Sequence, residues 1–96
     1  MEEETAGLTV RWEESGELVV EELAKVVLAA RGGWATVAFL AREKDKENGG
    51  FEDPKVIVRR YRRRAKGGHE VTAKLSLSME QARALADAVT AWSKPG

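Results

Sequence analysis

Cysteine is absent, and the 96 residues include a single histidine and two prolines. The missing thiols exclude disulfide staples, thiolate metal sites and cysteine nucleophiles. The lone imidazole, His69, sits between Gly68 and Glu70 at a turn, with no second imidazole or thiol to complete a zinc site. Long apolar runs are lacking too, since none approaches the ~18–20 residues that a bilayer-spanning helix needs. Met1 is followed by three Glu and not by a basic region leading into an apolar one, so no secretory leader is expected and the chain reads as cytoplasmic. Net charge is missing as well: 16 Lys and Arg balance 16 Asp and Glu, so bulk charge alone points to neither nucleic acid nor membrane.

The balance hides a separation. Residues 1–24 carry eight Glu against one Arg, whereas residues 55–74 carry eight Lys or Arg against one Glu. One half of the dipole is thus −7 and the other +7. The length fits one core, which we place at residues 8–94, with residues 1–7 as an acidic, solvated and flexible beginning.

Leu8–Trp12 and Leu18–Leu23 are short runs parted by Ser15-Gly16, a turn signal that suggests a hairpin. For residues 18–30 strand and helix both remain open, because Val19, Val20, Leu23, Val26 and Val27 also fit three-four spacing. Lys25–Arg31 and Trp34–Glu43 flank Gly32-Gly33, a firm hairpin signal, and the second run is apolar on both faces, as expected of a central, doubly covered strand. Residues 44–50 form a charged loop closed by glycines. Lys55–Arg64 starts as a β-branched strand, and in Glu70–Ser78 the apolar Val71, Ala73, Leu75 and Leu77 alternate with polar residues, the pattern of a half-buried antiparallel strand. Ser78-Met79-Glu80-Gln81 is a capping box, so a helix begins there, and its stripe from Met79 to Trp92 is expected to pack on the sheet. The order implies an α+β domain: a curved antiparallel β-sheet of four or more strands followed by a C-terminal α-helix.

Seven cationic side chains between Lys55 and Lys66 exceed what solubility requires. On a strand they divide, with Lys55, Arg59 and Arg63 beside Ile57 and Tyr61 on one face, and Arg60, Arg62 and Arg64 beside Val56 and Val58 on the other. Arginine pairs with phosphate and stacks on bases, and Tyr61 offers a ring, so this segment suits single-stranded nucleic acid. Lys66 and Lys74 add charge nearby. Trp34 and Trp92 are expected to be structural, between sheet and helix, although Trp34 beside a basic edge can also stack on a base.

Lys55-Val56-Ile57-Val58-Arg59-Arg60-Tyr61, a glycine-containing turn, and Leu75-Ser76-Leu77-Ser78-Met79-Glu80-Gln81 together resemble the DNA-binding domain of the transcriptional coactivator positive cofactor four and the related whirly proteins. The resemblance covers residues from about 55 to 93. It implies a whirly-like fold, a homodimer packed through helices and sheet edges, and single-stranded DNA or melted duplex cradled on the sheets without catalysis. By position it implies Lys55, Arg59, Tyr61, Arg62 and Lys74 as contacts. The chain departs from the pattern in its dense Arg62-Arg63-Arg64 cluster, its acidic beginning and an additional N-terminal hairpin.

The expected function is therefore non-catalytic binding of single-stranded DNA or RNA through Lys55, Arg59, Arg60, Tyr61, Arg62, Arg63, Arg64, Lys66 and Lys74. No catalytic residue, metal, cofactor or small-molecule substrate is expected. The glycine pairs lack the spacing and following Lys-Ser/Thr of a phosphate loop and read as turns. The alternative is a protein-interaction or self-assembly module in which the acidic N-terminal segment docks on the basic hairpin.

Overall fold

A computed structural model describes residues 5–94. Five strands, β1 (Trp12–Glu14), β2 (Glu17–Arg31), β3 (Trp34–Glu43), β4 (Lys55–Arg63) and β5 (His69–Ser78), form one sheet in sequence order, each antiparallel to the next. The sheet curls into a half-barrel, and the helix Met79–Ser93 follows it. The expected α+β order is what the chain adopts.

The β2–β3 turn shows why two glycines stand together. Gly32 and Gly33 both have positive φ, 59° and 84°, the conformation a two-residue hairpin turn requires and a side chain resists. Arg31 and Trp34 face each other across it. On β3, Ala35, Val37, Phe39 and Ala41 all point to one face and are buried. Their β4 partners are Tyr61, Arg59, Ile57 and Lys55, of which Tyr61 and Ile57 are also buried. This is the inner face. The opposite, outer face of β3 is half-buried at Thr36, Ala38 and Leu40, so the central strand is well covered on one side only.

Residues 18–30 are strand, and the two runs expected there are one 15-residue strand. Register shifts between Glu22 and Ala24 and between Val27 and Ala29 each insert one residue. The positions opposite the inward β3 residues consequently run Glu22, Lys25, Val27, Ala30. Steps of three at the bulges break the strict alternation that would mark a strand in the sequence.

Leu8–Arg11 is not a strand. It crosses the inner face as a strap, with Val10 buried in the core and Leu8 packed against it. Lys25 holds this strap: its Nζ donates to the carbonyl oxygens of Thr5 at 2.5 Å, Ala6 at 3.3 Å and Leu8 at 2.7 Å. Residues 1–4 lie outside the described residues; of the rest of the segment expected to be solvated, Thr5 is buried and Ala6 and Gly7 are exposed.

The capping box forms as expected, with Gln81 N donating to Ser78 Oγ and Ser78 N to Gln81 Oε1. The helix does not pack as expected. No residue of it is buried, and Leu85, Val89 and Trp92 are exposed, Trp92 at 78%. The physical reason is the cover already in place: the strap occupies the inner face, and the helix touches only the ends of β5 and β4.

Replacing Lys25 by Met keeps the aliphatic stem and removes the ammonium. Charge-assisted bonds of this kind are worth about 1.5–3 kcal/mol each before ordering costs, so a net loss of roughly 2 kcal/mol in denaturant unfolding is expected, with faster amide exchange at Leu8. A loss under about 0.5 kcal/mol would show that Val10 and Leu8 hold the strap by apolar contact alone.

Candidate nucleic-acid interface

The alternation of β4 separates its cations as the sequence implied. Arg60 and Arg62 project on the outer face, where Trp34 meets them from β3. The Arg60 guanidinium carbon lies 4.5 Å from the Trp34 ring centroid and that of Arg62 lies 5.7 Å away. Both are within cation–π range, which orients two flexible side chains against a rigid plane. Trp34 is 38% exposed, so it is no core residue; together with Ala29, Arg31, Thr36 and Arg60 it lines a shallow outer cleft of about 280 Å³. Arg31 was missed in the sequence, although its place before Gly32-Gly33 sets it directly opposite Trp34.

Arg62 also forms a bridge between this surface and a carboxylate. Its Nε and Nη2 donate to Glu70 Oε1 at 3.0 and 2.5 Å. This hydrogen bond, then the charge of Arg62 and more weakly that of Arg64, hold the Glu70 carboxyl below its usual range against a small opposing desolvation effect. Glu70 thus stays ionised at neutral pH and competes with any phosphate for Arg62. Arg64 and Lys66 are exposed in the adjoining turn, where Arg64 N donates to Gly68 O. Arg63 ends β4 against the other hairpin, its backbone NH donating to Gly33 O at 2.7 Å.

The remaining predicted residues lie elsewhere. Tyr61 is 4% exposed in the inner core, edge-on to His69, and offers no ring to a base; alternation places it beneath the strap side of the sheet. His69, expected at a surface turn, opens β5 half-buried. Lys55 is inward and paired with Glu43 at 2.5 Å, beside a cleft lined by Asp53, Pro54 and the start of the helix. Arg59 and Lys74 face each other across β4 and β5 on the inner side. The nine candidates therefore do not form one surface: Arg60 and Arg62 join Trp34 and Arg31, with Arg64 and Lys66 in the turn beyond, and Lys55, Arg59, Tyr61, Lys74 and, at the strand end, Arg63 belong by alternation to the opposite face.

The acidic half of the chain pairs with its own neighbours. Glu13 meets Arg11, Glu17 meets Lys44 and Glu21 meets Arg42, while Glu22 accepts from Thr9. Among the described residues, no group of three His, Cys, Asp or Glu could hold a metal, and no helix is long and apolar enough to cross a membrane. Comparison with family models, with curated proteins and with solved structures finds no match to this chain.

The sign of the Glu70 shift sets a pH dependence. A depressed carboxyl pKa means that the Arg62–Glu70 pair persists at neutral pH and is lost as pH falls through that lowered value, below the ~4.3 of free glutamate. Glu70→Gln removes the competitor without acid. Strand binding by Arg62 should then tighten about two- to fivefold at pH 7, measured by anisotropy at low salt, and unchanged affinity would mean that Arg62 does not touch the strand.

Proposed function

We propose that this domain binds single-stranded nucleic acid on its outer face, without performing chemistry on it and without strong sequence readout. The observation that carries the reading is the stack of Arg60 over Trp34, flanked by Arg62 and Arg31 at an exposed sheet end. A base can stack on the outer side of the Arg60 guanidinium, or displace it and lie on the indole. Arg62, Arg64 and Lys66 then stand where successive phosphates would follow. A single strand suits this shallow surface because its bases are free to splay outward. The coactivator-like function and whirly-like homodimer implied by the resemblance belong to the same proposal, as does a cytoplasmic setting. The exposed stripe of Leu85, Val89 and Trp92 supports the homodimer.

That stripe also favours a second reading, a protein-interaction or self-assembly module. Among the described residues, Glu13, Glu17 and Glu21 pair with Arg11, Lys44 and Arg42, so these three do not dock on the basic hairpin of their own chain.

The test is fluorescence anisotropy with labelled single- and double-stranded DNA and RNA of equal length at low and physiological salt, alongside light scattering. The expected result is preference for single strands by a dimer, weakening with salt. Trp34→Ala should cost roughly 5- to 100-fold, the usual range for one stacked base. Arg60→Ala with Arg62→Ala should flatten the log–log salt slope by about 1.4. No binding at low salt by the intact chain would overturn the proposal, and a stable oligomer without nucleic-acid affinity would favour the second reading.

A further inference from the structure

The inner face holds a feature that the outer surface does not explain. Arg59 on β4 and Lys74 on β5 are directly opposed across the ladder. Like charges in that position repel, and sheets normally place a carboxylate there. This chain does so elsewhere: Arg62 is opposite Glu70 and bonded to it, and Arg42 is opposite Glu21 and bonded to it. Among the described residues neither Arg59 nor Lys74 has an acidic partner.

Two further observations fall on the same spot. The register shifts between Arg60 and Tyr61, leaving Thr72 as an extra residue on β5, and the bulge borders a cleft of about 330 Å³ lined by Arg59, Val71, Thr72, Ala73 and Lys74. Two cations and no carboxylate line it. In addition, Arg59 Nε and the Tyr61 hydroxyl are buried with no hydrogen-bond partner. Tyr61 is two residues along the same face, and its cross-strand neighbour Val71 lines the cleft. An orphaned buried donor costs about 1–3 kcal/mol, and two adjacent ones beside an unbalanced pair of cations describe a place built for an acceptor.

We propose that the cleft at the β5 bulge binds a phosphate-class oxyanion between Arg59 and Lys74. A tetrahedral anion carrying more than one negative charge removes the cross-strand repulsion, accepts from the Arg59 fork and meets the Lys74 ammonium as a point charge. Glu43 shares a separate cleft with Arg59 beside the strap, where Lys55 engages it, and it does not line this one. The inference is independent of the Trp34 surface, which lies on the other face. The phosphate can be a free small molecule or part of a nucleic-acid backbone.

The test titrates the intact chain with inorganic phosphate, against chloride at equal ionic strength, by amide chemical-shift mapping and thermal unfolding. The expected result is saturable shifts at residues 59–61 and 71–74, a rise in melting temperature with phosphate, and roughly tenfold weaker binding in Lys74→Gln and in Arg59→Gln. Lys74 is exposed, so its variant tests the site even if Arg59→Gln fails to fold. Trp34→Ala should keep phosphate binding intact while weakening oligonucleotide affinity, which separates this site from the outer surface. Competition by oligothymidine in the Trp34→Ala protein would assign the anion to a strand backbone, and its absence would assign it to a free phosphate. Shifts no larger than those from chloride, or unchanged binding in Lys74→Gln, would overturn the proposal.

Discussion

The grip of Lys25 on the strap governs how this sheet becomes a folded domain. A single curled sheet with apolar residues on its inner face needs a cover, and its one C-terminal helix does not supply it. The buried apolar set consists of three β3 alanine and valine side chains, Phe39, Ile57, Tyr61 and the strap's Val10. Among the described residues, Val10 is the only member from outside β3 and β4. A lysine whose ammonium ends on three backbone carbonyls satisfies acceptors that an unpaired strap would bury at a cost, and its stem covers apolar surface on the way. Tyr61 and Ile57 stay inside because the strap lies over them. The placement of every β4 cation follows from that choice of face.

Alternation then gives two chemistries to one basic strand. Even-numbered arginines are turned outward to a tryptophan, and odd-numbered cations are turned inward toward the core's margin. Outward, aromatic contact and a single carboxylate orient the guanidinium groups. Inward, Lys55 has Glu43, and Arg59 has only another cation opposite it. A surface that had merely to be soluble would mix its signs within each face, as the β2–β3 pair Glu21–Arg42 does. The segregation along β4 is a departure from that.

Much of this could be read from residue order. Gly32-Gly33 and the Ser78–Gln81 capping box are local signals whose physics needs no distant partner, and each formed where expected. Glu70–Ser78 is a strand as expected, but Val71 and Leu75 are exposed and the extra Thr72 turns Val71 to the face opposite Ala73, Leu75 and Leu77. What escaped depends on tertiary choice. Two bulges shifted the inward parity of β2 twice, so a continuous strand carried no unbroken alternation. The strap has no periodicity of its own, and its burial depends on a lysine fifteen residues beyond Val10. Tyr61 looked available because alternation fixes which residues share a face but not which face is covered. Arg31 looked like an ordinary turn flank until the hairpin brought it opposite Trp34. The helix stripe was correctly seen as amphipathic, yet amphipathicity says only that a face can be buried.

The uncovered stripe and the cationic end are kept apart by the meander itself. The helix leaves β5 at Ser78, which pairs with Lys55 at the first residue of β4, whereas Arg62 and Arg63 lie at the other end of that strand beside Glu70 and His69. Nine residues of strand, at about 3.3 Å each, place these ends roughly 25 Å apart. A second copy seated on Leu85, Val89 and Trp92 would therefore leave Trp34, Arg60 and Arg62 open. It would also set two such surfaces side by side without bringing their charges together. The repulsion that two basic strands would otherwise impose falls off within a Debye length of about 8 Å at physiological salt, well short of that separation. Association through the helix and binding on the outer sheet would thus be electrostatically compatible, because the helix begins at the end of β5 away from Arg60 and Arg62.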